Sequence, residues 1–271
     1  MHVDDIKRRL NSLSPETPWA HLYEFAPDLF SVTPTNEQFY KKAVGLSRVG
    51  DLLVEISEAE IHGHTLAGKR VLDIASGEGA HSIQFAKRGA QVLGIEGRQL
   101  YVDRARFAAE ALGVTPVQFL QGDVRKIDPS LGQFDVVIAS GIIHHLDVQD
   151  FDRMMEELGR LTTNLLLIYM HVSTDLSVQS HRLKGPVTTP RGREGHLFRE
   201  HKDGATADER LKQVRASLDN TFSFWPTEKA LIETLQAVGF PLIVKVMSPH
   251  VFGWEGASYR PILVAKKRPL R

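Results

Sequence analysis

A glycine turn set between two apolar runs limits what this chain can fold into more than any other stretch. Residues Arg70 to Gly97 read R-V-L-D-I-A-S-G-E-G-A-H-S-I-Q-F-A-K-R-G-A-Q-V-L-G-I-E-G. Val71 to Ala75 has the composition of a strand, and Ser76 to Gly79 is a tight turn. A helix is expected from about Ala80 to Arg88. A second strand, Gln91 to Ile95, ends on the acidic residue Glu96. Together they make one βαβ unit with a glycine-rich crossover, an arrangement that holds a nucleotide-like ligand above the strand ends.

Beyond that unit the alternation continues. Gln99 to Leu112 reads as an amphipathic helix closed by Gly113, and Pro116 to Leu120 as a strand ending at Gly122-Asp123. Phe134 to Ala139 and Leu165 to Tyr169 are buried strands, with a helix at Phe151 to Leu161 between them. Nearly continuous apolar strands alternating with helices indicate a parallel sheet covered on both faces. Ahead of the unit, Pro15, Pro18, Pro27 and Pro34 interrupt an irregular arm that also carries Trp19, Tyr23, Phe25 and Phe30. Two short helices follow, the first capped by Asn36 and carrying Phe39, Tyr40 and Val44, the second carrying Val49, Leu52, Leu53 and Ile56. From His171 to about Phe222 the pattern lapses into a polar insertion with one helix at about Ala207 to Leu218. Regularity returns with a helix at Thr227 to Val238, Pro226 in or near its first turn. Strands at Leu242 to Val246 and Ile262 to Ala265 close the chain, with Val251 to Tyr259 between them and a solvated tail behind. The expected division is an N-terminal arm and cap helices over 1–67 and a main domain over 68–271, with the insertion 171–223 as a lid over a substrate.

Composition narrows the chemistry. The 271 residues carry 33 Lys+Arg against 33 Asp+Glu, a formal net charge of +0, which argues against a nucleic-acid partner that would favour a basic domain. With no cysteine, disulfides, thiolate metal sites and a Cys nucleophile are excluded, in keeping with a cytoplasmic location. The first ten residues lack the apolar stretch of a secretory leader, and no apolar run approaches the roughly 20 residues of a membrane span.

Two ligands compete for the glycine turn. A dinucleotide fingerprint wants a third glycine where Ser82 stands, and the acids Asp73 and Glu78 are poor neighbours for a pyrophosphate. They suit a ligand with a cationic amine and a sulfonium. The run Val71-Leu72-Asp73-Ile74-Ala75-Ser76-Gly77-Glu78-Gly79 resembles motif I of class I S-adenosylmethionine-dependent methyltransferases, with Ala75 where the first glycine is common. Glu96, Gly122-Asp123-Val124 and the stretch Phe134-Asp135-Val136-Val137 through His145-Leu146 resemble the later motifs in order, so the likeness covers roughly 68 to 170. Ser223-Phe224-Trp225-Pro226-Thr227 is similar to a subgroup of tRNA wobble-uridine modifying enzymes and small-molecule relatives.

The resemblance implies a Rossmann-like, doubly wound α/β fold. Its sheet would be mostly parallel and seven-stranded with an antiparallel last strand, carrying an N-terminal helical cap and an insertion after the fifth strand. It implies S-adenosylmethionine as cofactor, held by Asp73, Ala75, Ser76, Gly77, Gly79, Glu96, Gly97, Gly122, Asp123, Val124, Ser140 and Tyr40. Glu96 would accept from both ribose hydroxyls and Asp123 from the adenine amine.

Methyl transfer requires alignment of an acceptor and, where the acceptor is a hydroxyl, removal of its proton. His144, His145 and His171 fall after the fourth and fifth strands, where such an acceptor would sit, and are the candidate catalytic residues. His144, His145 and Asp147 lack regular metal-ligand spacing, so no metal is expected. Basic residues of the insertion, among them His181, Arg182, Lys184, Arg191, Arg193, His196, Arg199, His201 and Lys202, could clamp an acidic acceptor or could be balanced by neighbouring acids. Trp225 and Phe224 are either a stacking platform or core. The expected activity is transfer to a small-molecule oxygen, the expected partner a small molecule with no membrane, and a homodimer is compatible. An RNA-modifying enzyme, a cofactor-binding protein without transfer activity and an NAD-dependent oxidoreductase are the alternatives.

Overall fold

Each apolar run becomes a strand of one sheet in the computed structural model, which describes residues 1–14, 18–33, 35, 37–213, 215–246 and 260–267. The Asn36 cap, Pro15, Pro34, the stretch Val251 to Tyr259 and the tail 268–271 lie outside the described residues. The seven strands are β3 (Arg70–Ile74), β4 (Gln91–Glu96), β5 (Val117–Gln121), β6 (Phe134–Ser140), β7 (Thr162–Tyr169), β11 (Leu242–Val246) and β12 (Ile262–Lys266), in the order β11-β12-β7-β6-β3-β4-β5. β3, β4 and β5 pair in parallel, as do β6 and β7, whereas β12 runs antiparallel to both its neighbours, β7 and β11. The expected sheet is present, with its antiparallel strand lying one place in from the edge. The described residues divide into two compact units, 1–126 and 127–246 with 260–267.

In the first unit the βαβ unit forms as its spacing predicts: β3, helix α3 (Ala80–Lys87) and β4. Helix α4 (Gln99–Ala111) buries Val102, Ala105, Phe107 and Ala108, one apolar stripe at helical spacing. The pair of short helices expected before the sheet is instead a single helix, α2 (Glu37–Glu60). No proline interrupts it, and Gly50 within it is where α3 comes close: a Cβ there would meet the Gln84 Oε1 at 1.7 Å. The arm, read as irregular, contains helix α1 (Val3–Ser12) and a small hairpin of β1 (Glu24–Ala26) and β2 (Leu29–Phe30). Only Ile6 and Leu10 of α1 are buried, too few apolar residues to mark a helix in a polar sequence.

One buried ion pair ties the arm to the glycine turn. Glu78 has its side chain 1% exposed and Arg104, from α4, 0% exposed, with 2.7 Å between guanidinium and carboxylate. Arg104 also donates to the Leu13 and Pro18 carbonyls, and its guanidinium lies 5.0 Å over the Trp19 ring. Glu78 accepts from the amides of Ala20 and His21 and from the His21 ring, and the Tyr23 hydroxyl donates to the Glu78 carbonyl at 2.6 Å. Trp19, Tyr23, Phe25 and Phe107 complete the contact with edge-on and stacked rings.

In the second unit helix α5 (Val148–Leu161) starts three residues earlier than its apolar pattern, because Asp147 caps it by accepting from the Gln149 amide. The insertion is far more ordered than its polar sequence suggests. It holds helix α6 (Asp175–Ser180), strands β8 (Lys184–Thr188) and β9 (Glu194–Arg199), and a short helix α7 (Ala207–Lys212). Strand β10 (Phe222–Pro226) completes an antiparallel sheet in the order β10-β9-β8. Pro226 therefore ends a strand, and Thr227 caps the following helix, α8 (Glu228–Ala237), accepting from the Ala230 amide.

Removing one partner of a buried ion pair leaves the other charge without compensation, at roughly 3–5 kcal/mol. Arg104→Ala is accordingly expected to lower stability by about that amount, seen as a fall in the urea midpoint, whereas Arg9→Ala, which removes an exposed pair with Glu110, should shift it by less than about 1 kcal/mol.

Candidate cofactor and acceptor sites

The turn after β3 is built from alternate left-handed residues. Ala75, Gly77 and Gly79 have φ of 52, 56 and 81 degrees. Gly79 is required twice over, since a Cβ there would also strike the Phe119 ring at 2.6 Å and Ala105 at 2.9 Å. Ala75 holds the same kind of backbone with a methyl group, so the departure from glycine is strained at about 1–2 kcal/mol. The turn closes through Ser76 N to the Ile95 carbonyl and Gly79 N to the Ser76 carbonyl.

Glu96, at the end of β4, is buried, and its two oxygens accept separate backbone amides: Gly77 N to Oε2 at 2.9 Å and Arg98 N to Oε1 at 2.8 Å. Burial raises its carboxyl above the ordinary range, against the pull of those amides and of Arg98. A carboxylate has about four lone-pair positions, so both oxygens keep capacity for further donors. Beside it the Ser76 hydroxyl is buried with no hydrogen-bond partner.

The acids divide their work differently from the sequence reading. Glu78, aimed there at a cationic ligand, faces Arg104 and the arm. Burial works against its charge, but His21 and Arg104 outweigh that and hold its carboxyl below the usual range. Asp73 is also buried, accepting the Ser82 hydroxyl at 2.6 Å, so the residue that replaces the third glycine of a dinucleotide fingerprint anchors the strand-end acid. Burial pushes the Asp73 carboxyl up to about 7, offset in part by Ser82 and His21.

Asp123 binds within its own turn, taking the Arg125 amide at 2.9 Å and pairing with its guanidinium, which holds the carboxyl below the ordinary range despite partial burial. Gly122 N donates to the Glu96 carbonyl, Gly97 accepts from the Gln121 side chain, and Val124 is buried in a 3-10 turn over Val124–Lys126. Tyr40 is half-buried on the first turn of α2. In the second unit, Ser140 is the last residue of β6.

The three candidate histidines do come together, each in a different setting. His144 and His145 form a 3-10 turn after β6, and His171 follows β7. Their rings lie close: His144 is 4.3 Å from His145 and 4.8 Å from His171. His144 is buried, and its Nδ1 accepts the His171 amide at 3.3 Å. Burial, then the charges of His145, His171 and Arg260, press its pKa well below the ordinary value. His171 stacks face to face on Trp225 at 4.3 Å and accepts the Arg260 Nε at 2.6 Å; burial and Arg260 bring it down to about 2. Neither ring is cationic near neutrality. His145 is different: its Nδ1 sits 2.6 Å from the Glu200 carboxylate.

Trp225 is not a free stacking platform. His171 covers one face and Phe198 stacks at 4.9 Å, while Phe224 packs edge-on against Phe151 in the core. The basic residues of the insertion are largely paired: Arg191 with Glu156, Arg193 with Glu233, Arg199 with Asp203, and Lys202 with Glu209. Among the described residues no three His, Asp or Glu side chains form a group able to hold a metal, and no helix is long and apolar enough to cross a membrane. Sequence reasoning missed His21, Glu200 and Arg260. Each acts on a partner at least 55 positions away, and no local spacing signals it.

A folded-state carboxyl near 7 against about 3.9 in an unfolded chain means that Asp73 keeps its proton over a range where the unfolded chain has lost it. Its contribution to stability is complete below about pH 4 and falls as pH rises to about 7, by on the order of 4 kcal/mol. Asp73→Asn, which cannot ionise, is expected to flatten this decline when urea midpoints are compared between pH 4.5 and 7.5 in the ligand-free protein.

Residues 71–164 match the family model described as a methyltransferase domain. Magnesium-protoporphyrin O-methyltransferase of Rhodobacter capsulatus is 35% identical over 104 residues, 38% of this chain and 45% of that protein. The tRNA U34 carboxymethyltransferase of Alcanivorax borkumensis is 33% identical over 105 residues, 37% of this chain and 31% of that protein. The matched segments thus span less than half the length of these curated relatives. Among solved structures, the N-terminal domain of EvdMO1 with SAH bound superposes with a TM-score of 0.72 at 21% identity, over 99% of this chain and 98% of that one, and so shares the fold. Residues 71–164 thus carry a methyltransferase domain, set in that seven-stranded sheet.

Proposed function

We propose that this protein is an S-adenosylmethionine-dependent methyltransferase acting on an oxygen of a small-molecule acceptor. The observation that carries the reading is the buried Glu96 carboxylate at the end of β4, clasped by two amides of adjoining turns and keeping acceptor capacity on both oxygens. That donor set fits two vicinal ribose hydroxyls. The unpartnered Ser76 hydroxyl and the left-handed turn of Ala75, Gly77 and Gly79 fit a ligand approaching the backbone closely. Bound there, the cofactor supplies a methyl group on a sulfonium, an electrophile that needs only an aligned acceptor.

In this reading Glu96 holds the ribose, and Gly97, Gly122, Asp123 and Val124 border the adenine. Asp73 with Ser76 lies toward the amino-acid end, and Tyr40 contributes from α2. Asp73, poised near neutrality by burial, gains charge beside a cationic ligand. The arm and α2 serve as the cap and 171–223 as the lid, and the acceptor occupies the ends of β6 and β7. The O-methyltransferase relative supports oxygen as the atom methylated. A tRNA-modifying relative supports the second reading, an RNA substrate. Against it stand the balanced charge and the acidic partners already held by Arg191, Arg193, Arg199 and Lys202 of the insertion. The absence of cysteine supports a cytoplasmic location.

Calorimetry should show S-adenosylmethionine binding and no NAD binding. Glu96→Gln, which loses the charge but keeps the shape, is expected to weaken cofactor affinity by about 10–100-fold, in line with roughly 1.5–3 kcal/mol for hydrogen bonds to a charged group. NAD binding in preference would overturn the cofactor assignment. Label transfer to bulk tRNA with a steep salt slope would favour the RNA reading.

A further inference from the structure

Two buried N–H groups of the second unit sit on stacked rings and have no acceptor. The segment after β7 runs beside the end of β10: Ser173 N donates to the Pro226 carbonyl, and Ser173 bridges Thr227 in parallel. Side chains two residues back along such a pair share a face, so His171 and Trp225 stack, with centroids 4.3 Å apart and planes within 2 degrees. His171 is 6% exposed and Trp225 2%. An arginine can only donate, so His171 Nε2, which takes the Arg260 Nε at 2.6 Å, presents a lone pair. In the neutral ring the proton therefore sits on Nδ1. That Nδ1–H and the indole Nε1–H of Trp225 are both enclosed, and among the described residues neither meets a hydrogen-bond partner. Buried polar groups are paired in the great majority of cases, so two orphan donors on stacked rings mark a place for an acceptor from outside the chain.

The surroundings define its chemistry. His171 and Phe198 close the two faces of Trp225, so an occupant meets the edges of the rings. A water could accept from either N–H, but it needs acceptors for its own two protons. The lone pairs of His171 and His144 are already used, the first by Arg260 and the second by the His171 amide. An ionised carboxylate brings acceptors alone. Charge points the same way. After burial, Arg260 is the largest influence lowering the pKa of both His171 and His181, and a positive potential that opposes a proton on these imidazoles favours a negative oxygen. We propose that His171 and Trp225 form a binding site for the carboxylate of a small organic acid, with His171 Nδ1–H and Trp225 Nε1–H as its donors. Arg260, by holding Nε2, fixes the proton on the nitrogen that faces the acid. The site is built wholly from the second unit and involves no step of the methyl transfer.

The test titrates the full chain, without cofactor, with acetate and benzoate and with the corresponding amides, which keep the shape and lack the charge. Calorimetry reads affinity, and proton–nitrogen spectra read the two donors. The ligand-free spectrum should show His171 protonated at Nδ1. At least one of the acids is expected to bind and to move the Trp225 indole and His171 Nδ1 proton resonances together, with its amide about 10-fold weaker or more. Trp225→Phe, which keeps an aromatic ring and removes the donor, should weaken binding of that acid by about 10–100-fold, the range for a hydrogen bond to a charged group. Should Trp225→Phe unfold, benzothienylalanine in place of Trp225 keeps the shape of the indole without its N–H and is expected to give the same loss. Binding of neither acid, equal affinity for acid and amide, unchanged affinity in the folded Trp225 variant, or a His171 proton on Nε2 would each overturn the proposal. None of these outcomes bears on cofactor binding at the glycine turn of the first unit, which S-adenosylmethionine titration reads separately.

Discussion

The first unit depends on a charge buried where sequence logic places a ligand contact. Glu78 lies inside the glycine turn, yet its carboxylate is satisfied by Arg104, by His21 and by two amides of the arm. An ionised carboxyl in a dry interior is costly unless nearly every lone pair has a donor, and here the chain supplies them from two separate segments, the arm and α4. The arrangement welds the N-terminal arm to α4 and to the turn. His21 consequently lies over Gly77, its Cε1 3.7 Å from where a Cβ would stand. The conformation of the turn is therefore set partly by residues some 57 positions earlier in the chain.

Adjacent acids and adjacent histidines thus end in opposite electrostatic states. Asp73 and Glu78 are both fully enclosed, but Asp73 has a hydroxyl for its close partner and rises to about 7, while Glu78 has a guanidinium and stays ionised. Among the histidines, burial beside Arg260 keeps His171 neutral, and burial among like rings does the same for His144. His145, one residue further along the same turn, meets a carboxylate instead. One residue along a 3-10 turn rotates a side chain by about a third of a turn, enough to exchange one wall of the cluster for another.

Local order was legible wherever one short pattern settled it. The alternation of apolar runs with amphipathic helices identified the seven strands of the sheet, and residue identity at Ser82, Asp73, Glu96 and Asp123 pointed to the class of ligand proposed for the turn. Errors cluster where tertiary contacts overrode local signals. The helix α2 runs unbroken through Gly50 because α3 packs there. Strands β8 and β9 carry lysine, arginine, glutamate and proline rather than alternating apolar residues, since they pair within a small, half-exposed sheet. Nothing in a one-dimensional reading marks such strands.

By itself, then, the sequence determined the sheet, the glycine turn with its two left-handed glycines and the acid that ends β4, because these follow from periodicity and from conformations few residues adopt. Tertiary structure alone decided which of these polar groups remain available. Glu78 is committed to the arm, both faces of Trp225 are covered, and Arg191, Arg193, Arg199 and Lys202 of the insertion have acidic partners. It also joined His145 to Glu200 across 55 residues. The physical reason is that a charge or ring takes its character from what surrounds it, and those surroundings come from segments distant along the chain.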